Sequence, residues 1–338
     1  MHGGQRMDAI FMVGEQRSGS NLLRVMLDQS EQIAGPHPPH ILQRMMPLMP
    51  VYGDLGDEAA FRRLVDDVCR VVESNPVAWE KITVFDRDEV AALCRERSLI
   101  AVYGAVMAIC ARANGKVKWL CKTMTNIRYA RELDAYFGAT KYIFLYRDGR
   151  DVTLSFCKAV VGDKHPYFIA QKWAELQRLC LAKRAQTPER VFSVAYEDLT
   201  TNTEVVLRAL CDFLGVTYTP RMLEGHRSKE ASRTAESSDL WQNLTKPIMC
   251  TNNRKFLKEL SEEQVRVIES VAGDCLDALG YDRVFVKKGE ELTFSAEQIA
   301  QFKRENEEGI KAREEDADPG DLGRRRRQQV ILDEIRAR

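Results

Sequence analysis

The sequence predicts an α/β fold with a parallel sheet, and three observations carry that prediction. Ile10–Leu27 (IFMVGEQRSGSNLLRVML) passes from an unbroken apolar run through a Gly-Ser loop into helical periodicity. Lys141–Phe156 (KYIFLYRDGRDVTLSF) repeats the design. With 338 residues, 44% of them hydrophobic, the chain is long enough to bury one large core and carry some further segment.

In the first stretch Ile10 to Val13 are apolar without a break, as in a strand buried on both faces, and Leu22, Leu23, Met26 and Leu27 recur at helical spacing. Between them lies Gly14-Glu-Gln-Arg17-Ser18-Gly19-Ser20-Asn21. Backbone N–H groups of such a loop converge on one spot at the positive end of a helix, where a phosphate or sulfate is the natural occupant. A Gly-Ser turn before a helix is also an ordinary structural device. Gly14 and Gly19 have the spacing of a nucleoside triphosphate loop, yet Ser20 and Asn21 stand where Lys and Ser/Thr would follow. The lysine for the β/γ-phosphates and the hydroxyl for Mg²⁺ are therefore missing, and Arg17 sits inside the loop instead.

In the second stretch Tyr142 to Tyr146 is the strand and Arg147-Asp148-Gly149-Arg150-Asp151 the turn, with helical spacing resuming at Val152. Arg147 lies at the strand's carboxyl end and Ser155 one turn into the helix, so both can face the crevice where parallel sheets bind ligands. The bland alternative is a solvated turn with local ion pairs. Two such units at one sheet edge suit a ligand with two separate anionic groups.

These motifs resemble those of sulfotransferases that use 3′-phosphoadenosine 5′-phosphosulfate (PAPS). Arg17-Ser18-Gly19-Ser20, with Asn21 following, resembles the family's 5′-phosphosulfate loop, and Arg147 with Ser155 its 3′-phosphate pair. The resemblance spans about Ile10 to Asp282 and implies a three-layer, P-loop NTPase-like fold around a central parallel sheet. It implies PAPS as co-substrate, adenosine 3′,5′-bisphosphate as product and no metal. A sulfotransferase domain is expected over 8–286.

Between the first helix and the next strand, Ile33–Leu42 holds His37 and His40 in a Pro-rich turn, two of the five histidines. They read either as surface imidazoles or as a base, since an attacking acceptor must lose a proton. In protein-tyrosine sulfotransferases of the family a Glu just after the first helix, shortly beyond a Gly, serves as base; His37 falls at about that place and is set ahead of His40. Ala59–Val72 and Asp88–Arg112 have helical spacing and are expected to cover the acceptor pocket, with Trp79, Phe85, Tyr103 and Met107 either lining it or filling core.

Lys116–Asn126 is a short strand ending at Lys122. Lys122-Thr123 resembles the Lys-Thr-His of cytosolic sulfotransferases, in which Lys steadies the sulfonate; Met124 replaces the histidine and removes that base. A helix follows over Ile127–Phe137, and after Ser155 the chain reads as helical to about Arg184 with a Trp173, Leu176, Leu179 stripe. Val191–Ala195 is a strand leading to Tyr196-Glu197-Asp198-Leu199. It resembles the family's stretch that helps seat the adenine, which implies that Tyr196 stacks there; equally, Glu197 and Asp198 cap the next helix. Thr203–Leu214 is a helix closed by Gly215. Ser228–Lys258 reads as a loop whose Trp241 and Asn252-Asn253-Arg254-Lys255 loosely resemble the family's loop over the 3′-phosphate, making Arg254 a phosphate contact. Ser261 with Gln264 forms a capping box.

Residues 287–338 are a charged extension, helical or partly disordered. It is either solvated or, through Val330, Ile331, Leu332 and Ile335, packed against a partner subunit as a homo-oligomer contact. Fifty basic residues match fifty acidic ones, which argues against nucleic acid as a partner. The nine cysteines are scattered without a C-x-x-C pair, as in a reducing compartment, and no apolar run approaches a membrane span. The family's Golgi members carry such an anchor, so a cytoplasmic, bacterial-type member is expected.

The expected chemistry is in-line sulfuryl transfer to a hydroxyl or amine on a small molecule, glycan or peptide. Arg17, Lys122 and one histidine would act on the reacting groups. The alternatives are a P-loop nucleotide kinase or phosphotransferase, and a non-catalytic nucleotide-binding protein of the same fold.

Overall fold

The computed structural model describes residues 7–138 and 140–338. Strands β1 (Asp8–Gly14), β2 (Ile33–Ala34), β3 (Lys118–Cys121), β4 (Lys141–Tyr146) and β5 (Val191–Ala195) form one sheet in the order β2-β3-β1-β4-β5. Every neighbouring pair is parallel. Helices α1 (Ser20–Asp28), α2 (Ile41–Met45), α3 (Glu58–Glu73), α4 (Arg87–Leu93), α5 (Leu99–Ala113) and α6 (Ala130–Phe137) belong to the first half. They are followed by α7 (Gly149–Lys158), α8 (Pro166–Gln186), α9 (Tyr196–Thr201), α10 (Thr203–Leu214), α11 (Lys229–Glu236), α12 (Phe256–Glu259), α13 (Glu262–Ala278), α14 (Ala296–Glu315) and α15 (Pro319–Arg336).

Helices cover both faces of the sheet, which is why β1 and β4 tolerate no polar residue inside. Phe11, Val13, Tyr142 and Phe144 point into one cluster with Leu64 of α3, Val102 of α5, Leu133 of α6 and Leu176 of α8. Ile10, Met12, Ile143 and Leu145 alternate to the other face, against Leu23 and Met26 of α1 and Leu207 and Leu210 of α10. The result is the expected three-layer α/β/α arrangement.

Some elements differ from expectation. The helical run through Asp88–Arg112 is two helices, because Ser98 accepts a 3.1 Å hydrogen bond from Ala101 N and starts α5 afresh. Trp79, Phe85, Tyr103 and Met107 all fill the core. The stretch from Ser155 to Arg184 is likewise broken, with His165 capping α8 through a 3.2 Å bond from Tyr167 N. Leu179 leaves the Trp173–Leu176 stripe and is 37% exposed. Ser228–Lys258 is not simply a loop: Ser228 caps α11, whose Thr234 accepts from the fully buried Arg24 at 3.0 Å while Glu230 pairs with the same guanidinium at 2.6 Å.

The extension folds back on its own chain. Leu332 and Ile335 of α15 join the main core, Gln328 Nε2 donates to Val71 O at 2.6 Å, and Arg338 pairs with the buried Asp67 at 2.7 Å. Those two apolar side chains, offered by sequence to a partner subunit, are thus used within the molecule. In α14, Asn306 accepts from Lys164 N and His165 N at 2.6 and 2.9 Å, fixing the turn before α8. Among the described residues no helix is long and apolar enough to cross a membrane, and all nine cysteines are free.

Candidate functional site

All five strands deliver the chain to one cleft of about 340 Å³ at their carboxyl ends. After β1 come Arg17, Gly19, Ser20 and Asn21; His37 follows β2, Lys122 follows β3, Arg147 follows β4 and Tyr196 follows β5. A crevice at this edge of a parallel sheet is the general ligand position of open α/β folds.

The loop after β1 has a conformation that only its sequence permits. Gly14 has φ +129°, and a Cβ there would lie 2.3 Å from Leu145 O. Gly19 has φ +84°, and a Cβ would lie 2.5 Å from the Tyr196 ring. No side chain caps α1, so the N–H groups of its first turn remain available to an anion. The described residues contain three non-glycine positions of positive φ: Arg17, His40 and Arg254. Such strain concentrates where a site fixes a backbone.

Arg17 and Ser155 meet directly, Nε donating to Oγ at 2.9 Å, so the two strand–loop–helix units share one wall. Arg147 donates through Nη1 to Arg17 O at 3.1 Å and through Nη2 to Asn252 O, while its guanidinium lies 4.5 Å from the Tyr196 ring centroid. Ser18 Oγ and Arg147 Nε are buried without partners. Buried orphans beside an uncapped helix are what a bound oxyanion would satisfy. Arg150, Asp148 and Asp151 are neither solvated nor in the cleft. Arg150 ties Asp148 to Glu269 at 2.8 and 2.6 Å, and Asp151 accepts from Arg254 N and Phe256 N at 2.6 and 3.0 Å. Arg254 therefore holds its loop in place through its backbone; its side chain is exposed and outside the cleft lining, which Asn252 reaches instead.

Lys122 Nζ donates to Asn21 Oδ1 at 3.1 Å. Burial, then Arg24 and Arg17, push its amine down to about 7, and burial with Arg147 lowers Arg17 to about 10. Both imidazoles are held well below their ordinary pKa, His37 by burial, Arg24 and Lys122, His40 by burial, Arg44 and Lys122. Their hydrogen bonds distinguish them. Asn75 Nδ2 donates to Pro38 O at 3.3 Å and lies 3.5 Å from His37 Nδ1, presenting its N–H side to the ring. His37 Nδ1 is thus the acceptor and the ring proton belongs on Nε2. His40 hydrogen-bonds Gln43 and has an unpartnered Nδ1.

Sequence reasoning did not find Gln43, Arg44, Asn75 or Arg325, all of which line the cleft. Nothing local marks the first three. Arg325 was visible only as part of a basic run, and the helical spacing of Gln328, Leu332 and Ile335 behind it was the signal that this run is anchored. Among the described residues no group of three or more His, Cys, Asp or Glu could hold a metal ion.

Protein-tyrosine sulfotransferase A of Caenorhabditis elegans is 23% identical over 287 residues, covering 81% of this chain and 67% of that protein. The sulfotransferase domain from the curacin biosynthetic pathway matches with a TM-score of 0.55 at 24% identity, over 83% of this chain and 100% of the domain. The corresponding domain of the Synechococcus PCC 7002 olefin synthase gives 0.53 at 20%, over 81% and 94%. Both have the P-loop-like architecture described above. A sequence model of the sulfotransferase family matches residues 9–220, and with that span the chain belongs to the sulfotransferase family.

Proposed function

We propose that the protein moves a sulfuryl group from PAPS to a hydroxyl or amine acceptor, a small molecule, glycan or peptide. The observation that carries this reading is the direct contact of Arg17 with Ser155 and Arg147 beneath an uncapped helix, a wall suited to a nucleotide with separate 5′ and 3′ anionic groups. PAPS supplies the activated sulfuryl group and a bisphosphate leaving group.

Arg17 and the N–H groups opening α1 hold the 5′ end, with Ser18, Ser20 and Asn21 around it, and neutralise charge gathering on the leaving phosphate. Arg147 and Ser155 hold the 3′-phosphate, and Tyr196 borders the base. Lys122, steadied by Asn21, contacts the sulfonate; an incoming anion raises its pKa and keeps it charged. His40, through its unpartnered Nδ1, accepts the acceptor's proton, and His37 donates from Nε2. This order reverses the one expected from sequence, and the Asn75 amide is the reason. The reducing environment that nine free cysteines favour supports a cytoplasmic setting.

A thermal-shift panel tests the reading. Adenosine 3′,5′-bisphosphate is expected to raise Tm in the absence of metal, and ATP with Mg²⁺ is expected to leave it unchanged. The opposite pattern would place the protein among nucleotide kinases. Release of bisphosphate from PAPS on adding an acceptor separates an enzyme from a binding protein.

A further inference from the structure

Of the cations lining the cleft, Lys246 is exposed to solvent and the others fall into two poles. The sheet-edge pole consists of Arg17, Arg147 and Lys122, each hydrogen-bonded to loop carbonyls, a hydroxyl or an amide. The second consists of Arg44 on α2 and Arg325 on α15, from opposite ends of the chain. Arg44 is half-buried, and its guanidinium makes a single hydrogen bond, to Pro39 O at 3.2 Å; no described carboxylate pairs with it. Arg325 is anchored by Nε and Nη2 to the buried Asp321 at 2.8 and 3.2 Å, leaving Nη1 unassigned, and Ser238 fixes that carboxylate from behind at 2.7 Å.

The two arginines feel each other: Arg44 is lowered to about 10 by burial and by Arg325. The charges that weigh most on His40 are those of Arg44, Lys122 and Arg325, all cations, the last paired with Asp321. A half-buried guanidinium beside another cation, without a carboxylate of its own, is stabilised by an occupant that brings negative charge. Its planar fork is matched to compact oxyanions.

We infer that Arg44 and Arg325 form an anion subsite for the acceptor, which carries a carboxylate, phosphate or sulfate in addition to the hydroxyl or amine that attacks. The inference rests on the proposed function, because it takes Arg17 and Arg147 to be occupied by the nucleotide. Arg325 is then the means by which the C-terminal helix contributes to specificity. A neutral isostere of the acceptor would leave Arg44 uncompensated and be rejected.

The test uses the full chain saturated with adenosine 3′,5′-bisphosphate, to which sodium phosphate or, in a parallel arm, sodium acetate is added against chloride of matched ionic strength. Phosphate at about ten times its Kd is expected to raise Tm by about 2 °C in the parent protein. The same shift with acetate identifies a carboxylate-binding pole, and a shift with phosphate alone a phosphate- or sulfate-binding one. Arg44→Gln is expected to abolish the shift and Arg44→Lys to retain part of it, with bisphosphate affinity within about twofold of the parent in both. No shift in the parent, or a shift that survives in Arg44→Gln, overturns the subsite while leaving the donor reading intact. A protein that fails to bind the bisphosphate in the first titration overturns the donor reading itself, and the subsite with it.

Discussion

At the sheet edge, Arg17, Ser155 and Arg147 are locked to one another at 2.9 and 3.1 Å, whereas across the cleft Arg44 touches one carbonyl and two imidazoles each keep a nitrogen without a partner. The first wall has its side chains fixed against one another, with Ser18 Oγ, Arg147 Nε and the uncapped start of α1 left for a ligand. The second holds its polar capacity in reserve. Strand ends in a rigid sheet can place charges for a fixed nucleotide; segments drawn from α2, the loop after β2 and α15 form the opposite wall, which on the proposed reading is the acceptor's.

Breaking the second wall at its base is expected to have the largest effect. His40→Ala should lower kcat/KM by about 10²–10⁴ with bisphosphate affinity unchanged, and His37→Ala should cost less. Because burial and Arg44 hold His40 well below its ordinary pKa, the parent rate at saturating donor, where Lys122 stays charged, is expected to be flat through neutrality and fall only on the acid side, as the imidazole protonates. Equal, small losses in the two variants would put the base elsewhere.

Breaking the first wall comes next. Arg17→Ala should reduce kcat by about 10²–10³, as loss of a donor to developing charge does. Activity within about threefold of the parent would mean that the loop N–H groups alone carry the charge.

The smallest effect sharpens the comparison by proton counting. Burial, Arg24 and Arg17 bring Lys122 down to about 7, so at pH 8 most of it is neutral; an anion beside it raises that pKa. Bisphosphate binding at pH 8 should therefore take up a fraction of a proton, read from the dependence of calorimetric enthalpy on buffer ionisation heat, and Lys122→Met should remove it. No uptake in the parent would place Lys122 outside the anion's reach.

The same division explains what was legible in the sequence. Ile10–Leu27 and Lys141–Phe156 each contain strand, loop, charge and helix within a single window, so Arg17, Arg147 and Ser155 were readable as neighbours of one edge. Lys122 and Tyr196 each stand directly after a strand, and the family resemblance of Lys122-Thr123 and Tyr196-Glu197-Asp198-Leu199 marked them. Arg44 and Asn75 sit on or between helices with no local mark, and only tertiary packing turns them inward. The Arg254 side chain lies outside the cleft for a related reason: Asp151 accepts from its backbone N–H and that of Phe256, and Asn252 lines the cleft. The extension is helical, one of the two states expected, and its packing was hidden by composition, since its charged surface outweighs Gln328, Leu332 and Ile335, which pin α15 to the core.

A calorimetric cycle of two proteins and two ligands tests most directly whether the sheet edge grips a nucleotide at both ends. Parent and Arg147→Ala are each titrated with adenosine 3′,5′-bisphosphate and with adenosine 5′-monophosphate. Loss of the 3′-phosphate should cost the parent about 2 kcal/mol, roughly thirtyfold in Kd, and cost Arg147→Ala almost nothing. Equal discrimination by both proteins, or none by the parent, would contradict the account.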